Sequence, residues 1–289
     1  MPSTLILLVG EQPIPNILPI RHYNPERVIC LYSDRTKIVY QRLCNLEQRH
    51  RDVSGICVDA YDIPSIVAVL RAQLATLDGS DIRFNVTGGT KPMSFAALLV
   101  ARELALPVLY IESEGSSSLV REYRWSTIGE LMVQTSEVIS AELALRDWFD
   151  LAFGTGNWEQ LGPGTTDGAA FEAAIAAAIP RDRYEVMTSV AAHGQFEIDL
   201  AIRYGTQFAV VEAKCGNNGR KLDGLKQLAA LSKPLGTYTQ LLYAITVEPN
   251  ESHTAVMQLS RVKVLALGEL EDGRLSAHGH EILLNCLPR

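Results

Sequence analysis

Two acidic residues and a lysine fall in adjacent apolar segments that have the pattern of a β-hairpin. Asp199 lies in the first segment, Glu212 and Lys214 end the second, and a turn at 204–206 separates them. Side chains alternate between the two faces of a strand, so Glu212 and Lys214 point the same way. Carboxylates bind Mg²⁺ or Mn²⁺ through oxygen, and the bound metal polarises a phosphate and activates water. The spacing therefore predicts metal-dependent phosphodiester hydrolysis, with Lys214 stabilising developing charge or positioning the water.

The register of this hairpin decides whether the carboxylates meet, and the sequence does not fix it. Some registers place Asp199 directly opposite or diagonal to Glu212. In such registers the two carboxylates lie close together and repel each other. A cation between them relieves the repulsion. The competing interpretation is an exposed hairpin with ordinary surface charges. Val210 and Val211 favour the metal site, because they make the second strand apolar enough to lie inside a sheet.

Two flanking segments add polar residues to this pair. The stretch 168–175 has a helical pattern, and Glu172 interrupts its apolar run. The stretch 222–228 predicts a second helix, with Lys226 and Gln227 facing away from its leucines. The chain therefore presents, in order, a helix carboxylate, a strand Asp, a strand Glu-x-Lys and a helix Gln.

This order resembles the PD-(D/E)xK nuclease superfamily over about residues 164–247. The chain departs from the pattern at Ile198, where a proline would precede the first Asp. The resemblance implies a restriction-endonuclease-like α/β domain with Mg²⁺ or Mn²⁺ bound by Asp199 and Glu212. The catalytic set that it implies is Glu172, Asp199, Glu212 and Lys214, with Gln227 as a supporting polar residue.

The N-terminal half alternates apolar strands with helical patterns. Strands are predicted near 4–9, 28–32, 55–58, 82–86 and 107–111, and helices over 36–50, 64–77 and 91–104. This alternation predicts a Rossmann-like, doubly wound and mostly parallel sheet. Such sheets bind ligands in the loops at the carboxyl ends of their strands.

The loop after the fourth predicted strand, Thr87-Gly-Gly-Thr-Lys-Pro-Met-Ser94, has the residues of a phosphate or nucleotide cradle. Its glycines let the backbone approach a ligand closely, and its hydroxyls and lysine supply polar contacts. The helix that follows presents free N–H groups and a positive dipole end. The spacing is neither that of a Walker A loop nor that of G-x-G-x-x-G. The competing interpretation is a plain strand-to-helix turn with a capping threonine.

In this position the loop resembles that of the CARF domain, the CRISPR-associated Rossmann fold, over about residues 1–135. The resemblance implies a cyclic oligoadenylate ligand, with cyclic tetra-adenylate as the favoured ring, and a homodimer with the ligand on its two-fold axis. The ligand contacts that it implies are Thr87, Gly88, Gly89, Thr90, Lys91 and Ser94. By position alone, the loops after the first two strands complete the pocket with Gly10, Glu11, Gln12, Ser33 and Asp34.

The length of 289 residues predicts about two domains. We predict a CARF-like sensor at residues 1–135 and a nuclease domain at residues 161–289. Residues 136–160 form the linker between them, and a helix over 140–153 lies within it. No apolar run approaches the roughly 20 residues of a transmembrane helix. The first residues have the pattern of a strand and not of a signal peptide. The five cysteines show no paired spacing, which indicates reduced thiols and a cytoplasmic protein without a membrane association.

The net charge of −7 argues against a simple polyanion binder. Basic residues nevertheless cluster beside the Glu-x-Lys motif, at Lys214, Arg220, Lys221, Lys226 and Lys233. Such a strip can contact phosphates despite the global charge. It is equally compatible with a solvated helix face.

Together the two resemblances imply an endonuclease of type III CRISPR antiviral defence that is activated by cyclic oligoadenylate and cuts RNA or DNA. Two alternatives remain open at this point. One is a restriction or repair nuclease that works without an activator. The other is a cyclic-nucleotide sensor whose nuclease-like lobe is inactive.

Overall fold

The computed structural model describes residues 3–77, 81–114, 117–139, 143–162, 164, 166–192, 196–236 and 238–288. The chain forms two compact units, residues 1–143 and 144–289. Each unit is built on its own mixed α/β sheet, which confirms the predicted fold class.

The segment that we expected to link the domains, residues 136–160, holds the end of the last strand of the first unit. It also holds the first helix and strand of the second unit. Residues 140–142, at the start of the helix expected over 140–153, lie outside the described residues.

The first unit contains the elements that the alternating pattern predicts. Its full set is β1 (Thr4–Leu8), α1 (Ile14–Tyr23), β2 (Arg27–Tyr32), α2 (Lys37–Glu47), β3 (Asp52–Cys57), α3 (Ile63–Leu74), β4 (Ile82–Asn85), α4 (Lys91–Glu103), β5 (Val108–Glu114), β6 (Ser117–Trp125) and β7 (Leu131–Val138). The strand order is β3-β2-β1-β4-β5-β6-β7, parallel as far as β5 and antiparallel beyond it. The predicted alternation did not include α1, β6 or β7. Helix α1 carries Pro19 in its interior.

Strand β1 lies inside this sheet, between β2 and β4, and all five of its residues are buried. Because β1, β2, β3 and β4 run parallel, their carboxyl ends meet at one edge. Helices α3 and α4 pack on this sheet through Leu70, Ala97 and Val100. This packing fixes the loop between β4 and α4 at the same edge.

The second unit contains α5 (Leu145–Phe153), β8 (Trp158–Gln160), α6 (Asp167–Ala178), β9 (Glu185–Ala192), β10 (Phe196–Tyr204), β11 (Gln207–Lys214), α7 (Gly216–Gly219), α8 (Asp223–Ala230), α9 (Ser232–Leu235), β12 (Gln240–Ile245), α10 (Glu251–Leu259), β13 (Val262–Ala266) and α11 (Ala277–Cys286). Its strand order is β13-β12-β11-β10-β9-β8. Strands β11, β12 and β13 run parallel, and the pairs from β8 to β11 are antiparallel.

The β10–β11 hairpin has the register that the sequence left open. Tyr204 pairs with Gln207 across a two-residue loop, whose first residue, Gly205, has a positive φ of 56°. Counting back along the ladder from the Leu200–Val211 pair puts Asp199 opposite Glu212, on one face of the sheet. The opposite face carries the apolar residues that pack against α6 and α11.

None of the described helices has the length and apolar character of a membrane span.

The first unit contains a buried charge cluster. The carboxylate of Glu47, at the end of α2, is fully buried and contacts Arg21 and Arg51, each at 2.8 Å. We expect Glu47→Gln to destabilise the protein by about 3–5 kcal/mol, because both guanidinium groups lose their anion. Chemical denaturation measures this change.

The matched control is Glu103→Gln. Glu103 contacts Arg71 at 2.7 Å, but both side chains are about half exposed. Removing this surface pair should cost less than about 1 kcal/mol. Similar losses in the two variants would contradict a structural role for the buried cluster.

Candidate functional site

The structure brings Asp199, Glu212 and Lys214 together at the centre of the second sheet. The two acidic residues are 6% and 1% exposed. The Lys214 Nζ lies 2.7 Å from Glu212 Oε1 and 3.3 Å from Asp199 Oδ2. Asp199 Oδ2 also accepts a hydrogen bond from the Ala213 N–H at 2.7 Å. The cation between the two carboxylates is thus the ammonium of Lys214.

The second oxygen of Glu212 is the unusual atom of this cluster. Glu212 Oε2 is buried and has no hydrogen-bond partner among the residues that the structure describes. Burial raises the pKa of Glu212 to about 7, the nearby charge of Asp199 adds to the rise, and Lys214 opposes it. A buried carboxylate oxygen without a partner is costly, so this atom is available to a ligand that supplies positive charge.

Lys214 is held in its charged form by its neighbours. Burial alone would lower the pKa of its ammonium, but Asp199 and Glu212 outweigh burial and raise that pKa well above its ordinary value. Lys214 is therefore a fixed positive charge at neutral pH.

Glu172 belongs to the same electrostatic cluster. It lies on α6 and is partly buried. Burial raises the pKa of Glu172 to about 7, with a further rise from Asp199 and an opposing effect from Lys214. A carboxylate with a pKa near neutrality can exchange a proton at working pH.

Gln227 lies beside the cluster and contacts the strand that carries Asp199. Its Nε2 donates a hydrogen bond to the backbone carbonyl of Glu197, at 3.3 Å, two residues before Asp199. Gln227 thus joins α8 to β10. The structure places it as a neighbour of the strand backbone.

The donors at this site fit a hard divalent cation in type, since both are carboxylates and one carboxylate oxygen has no partner in the described ranges. Among the described residues, no group of three or more His, Cys, Asp or Glu side chains is arranged to hold a metal ion. The ammonium of Lys214 lies against both carboxylates. A cation shared by Asp199 and Glu212 would therefore compete with this ammonium.

The basic strip divides into two parts. Arg220, Lys221, Lys226 and Lys233 are exposed, and Lys214 contacts the carboxylates. Arg220, Lys221 and Lys226 lie between the end of β11 and the middle of α8. They place positive charge beside the acidic cluster, where a phosphate backbone would be attracted.

A second candidate site is a cavity of roughly 780 Å³ in the first unit. It opens at the carboxyl ends of the parallel strands, as expected for this sheet. Six of the predicted ligand residues line it: Gly10, Glu11, Ser33, Asp34, Gly89 and Thr90. Gln12, Thr87, Gly88, Lys91 and Ser94 are not among its lining residues.

Three of these non-lining residues build the loop itself. Thr87 Oγ1 donates a hydrogen bond to Asn85 Oδ1 and accepts one from the Ile111 N–H, both at 2.7 Å. Ser94 Oγ donates to backbone carbonyls at 3.3 Å. A Cβ on Gly88 would lie 2.2 Å from the carbonyl oxygen of Leu8, so only glycine fits there. The residue types at these three positions therefore serve the structure of the loop as well as any contact with a ligand.

Thr90 has two roles in this loop. Its hydroxyl caps α4 by accepting a hydrogen bond from the Met93 N–H at 3.4 Å. The same hydroxyl donates to the carbonyl of Ala60 at 2.6 Å, in the loop after β3. The preceding residue, Gly89, has a φ of +72°, which glycine adopts without strain.

The part of the cavity that follows β3, and Arg35 in the loop after β2, were not predicted from the sequence. Arg35 forms an ion pair with Glu11, and the Cys57 thiol contacts Asp34 Oδ1 at 3.6 Å. Asp59 and the largely exposed Tyr61 complete this wall. The available signal was the third predicted strand, because the loop after it must reach the same edge of a parallel sheet.

The CARF family model described as the Card1 CARF domain matches residues 4–132. The N-terminal unit is a CARF domain. The family match ends before the second unit, so the PD-(D/E)xK resemblance of that unit stays a prediction.

Solved structures share the fold of the CARF domain and of the second unit. Can2 from Sulfobacillus thermosulfidooxidans, in complex with cyclic tetra-adenylate, has a TM-score of 0.76 at 15% identity, over 98% of this chain and 99% of that chain. Protein VC1899 from Vibrio cholerae has a TM-score of 0.70 at 11% identity, over 91% and 93% of the chains. A type III CRISPR defence DNA nuclease activated by cyclic oligoadenylate has a TM-score of 0.65 at 14% identity, over 98% of this chain and 52% of that chain. A search of curated proteins found no match.

The raised pKa values give the metal-free protein a distinctive pH dependence. The pKa of Glu172 and of Glu212 rises from an ordinary value of 4.5 to about 7, so the folded protein binds more protons than the unfolded chain between these values. Stability should therefore fall as the pH rises from about 5 to about 8. Glu172→Gln should reduce this slope, because it removes one of the two groups. Thermal unfolding in EDTA across this range measures it, and equal slopes in both proteins would exclude Glu172 from the cluster.

Proposed function

We propose that this protein is a cyclic oligoadenylate-activated, metal-dependent endonuclease of type III CRISPR defence. One observation carries the proposal: a chain with a CARF domain also holds two buried carboxylates and a lysine on adjacent strands. One carboxylate oxygen has no hydrogen-bond partner within the described part of the chain. The fold likeness to Can2 and to the cyclic oligoadenylate-activated DNA nuclease supports it.

In this proposal Asp199 and Glu212 hold Mg²⁺ or Mn²⁺. The bound metal would polarise the scissile phosphate and lower the pKa of an attacking water. Lys214 stays protonated and places a fixed positive charge where negative charge develops on the phosphate oxygens. Glu172, with a pKa of about 7, accepts the proton that the attacking water loses. Gln227 fixes the backbone of the strand that carries Asp199.

The substrate in this proposal is a nucleic acid strand that lies along the exposed basic residues Arg220, Lys221 and Lys226. Their charges contact phosphates, and the carboxylate cluster then faces one phosphodiester bond. The contacts are to the backbone, so the expected cleavage has little sequence preference.

The activator in this proposal is a cyclic oligoadenylate, with cyclic tetra-adenylate as the favoured ring, bound in the cavity of the CARF domain. The backbones of Gly10 and Gly89 lie close to each other at the cavity. The loops after β1 and β4 can therefore both present backbone groups to a phosphate. Arg35 supplies a cation at the cavity, and Lys91 is exposed at the start of α4. Ring binding would favour one of two arrangements of the nuclease, through a difference in affinity for them.

We also propose a homodimer formed through α4. Phe95 and Leu99 lie one turn apart on this helix and are 56% and 55% exposed, although both are large and apolar. The same helix begins at the loop that lines the cavity. A second copy of the chain would cover these side chains and present a second copy of the loop to a symmetric ring.

The first test is cleavage of labelled single-stranded RNA, single-stranded DNA and plasmid with Mn²⁺, with and without cyclic tetra-adenylate or cyclic hexa-adenylate. We expect cleavage only with one of the rings. Asp199→Asn and Glu212→Gln should abolish it, because each removes a metal ligand. Lys214→Ala should lower kcat by about 10²–10³-fold, as for loss of one group that stabilises transition-state charge.

The control is Glu281→Gln, an exposed carboxylate on α11, whose residues pack against the opposite face of the sheet. It should cleave like the unmodified protein. Cleavage without a ring would identify an unregulated nuclease. Ring binding by calorimetry without any cleavage would identify a sensor with an inactive nuclease-like lobe.

The dimer is tested with the double variant Phe95→Asp and Leu99→Asp. It should be a monomer in light scattering after size exclusion and should bind the ring more weakly, because burying charge at an apolar contact is costly. Ile128→Asp is the control, since Ile128 is also exposed but lies in the turn between β6 and β7. An unmodified protein that is monomeric with and without the ring would refute this interface.

A further inference from the structure

Helix α8 approaches the carboxylate cluster more closely than a helix with an ordinary side chain could. Gly224 lies in its first turn and is buried. A Cβ at this position would lie 2.8 Å from Tyr243 Cε2 and 3.4 Å from Lys214 Cγ. The first distance is shorter than the non-bonded contacts that carbon atoms make in proteins. The Tyr243 ring therefore fills the space that a side chain at residue 224 would need. The stem of Lys214 passes beside the same point.

The Tyr243 ring has little freedom to move away. Tyr243 is fully buried on β12, where it pairs with Glu212 of β11. Its hydroxyl donates a hydrogen bond to the backbone carbonyl of Lys221, at 3.3 Å, just before α8 begins. The ring is thus tied to the strand at one end and to the chain leading into α8 at the other.

Helix α8 is fixed on its other side as well. Gln227, three residues after Gly224, donates to the carbonyl of Glu197 on β10. The helix therefore contacts the strand of Asp199 through Gln227 and the residues beside Glu212 through Gly224. These contacts place α8 along the stem of Lys214.

We propose that Gly224 and Tyr243 are positioning residues that hold the Lys214 stem against β11. A lysine side chain has four carbons and many rotamers, and fixing it in one of them costs conformational entropy. The Tyr243 ring packs against the backbone of Gly224. This packing restricts the Lys214 side chain to the direction of Glu212 Oε1 and Asp199 Oδ2. The inference rests on the proposed function, because the chemical task of Lys214 is the one proposed there.

The test is Gly224→Ala, with Gly162→Ala as the matched control. A Cβ at Gly162 would meet no atom of the described residues within 4 Å, and this glycine is exposed. Gly224→Ala must displace the Tyr243 ring or the lysine stem. We expect kcat for ring-activated cleavage to fall by about 100-fold without a rise in KM, since misplacement of about 1 Å at a catalytic group has this effect. Gly162→Ala should match the unmodified protein.

A crystal structure of Gly224→Ala supplies a readout that does not need activity. The expected result is a Lys214 Nζ that no longer contacts Glu212. An unchanged contact together with an unchanged kcat would overturn the inference. If the unmodified protein does not cleave, the proposed function fails, and the position of Lys214 in the variant alone decides whether Gly224 and Tyr243 position it.

A second variant covers the case in which Gly224→Ala does not fold. Tyr243→Leu removes the ring and leaves an apolar side chain in the same core position. Displacement of Lys214 from Glu212 in its crystal structure would support the inference. Retention of the 2.7 Å contact without the ring would overturn it.

Discussion

The second unit depends on one electrostatic constraint: two carboxylates lie buried on neighbouring strands, where like charges cannot both be left unpaired. The ammonium of Lys214 satisfies part of this requirement, and the N–H of Ala213 satisfies another part. None of the described residues forms a hydrogen bond with Glu212 Oε2, and the pKa values of Glu172 and Glu212 rise toward neutrality. A sheet with this arrangement carries a cost in stability that a purely structural strand pair would avoid.

The sequence contained most of the information about this cluster, because period-two alternation assigns each strand residue to a face. Alternation placed Asp199 on one face of its strand and Glu212 with Lys214 on one face of theirs. It could not supply the register, which depends on the two-residue loop that begins at Gly205. Nor could it show the packing of Gly224 against Tyr243, since these residues are distant in sequence and meet only through the sheet order.

In the first unit, by contrast, the strands and helices were easier to predict from the sequence than the residues of the site. Its alternating strands and helices were predictable from periodicity, whereas α1, with a proline in its interior, was not. The Thr-Gly-Gly-Thr loop was found because its residue types match a phosphate cradle, yet Thr87 and Ser94 use their hydroxyls within the protein. The wall formed after β3 carries no glycine-rich motif, and only the topology of the parallel sheet brings Asp59 and Tyr61 to the cavity.

The hydrogen bond from the Thr90 hydroxyl to the carbonyl of Ala60 has a mechanical consequence. It links the loop after β4 to the loop after β3, and the same residue begins α4. A ligand that contacts either loop therefore acts on a residue that also fixes the first turn of α4. One threonine side chain thus joins two walls of the cavity to the start of a helix.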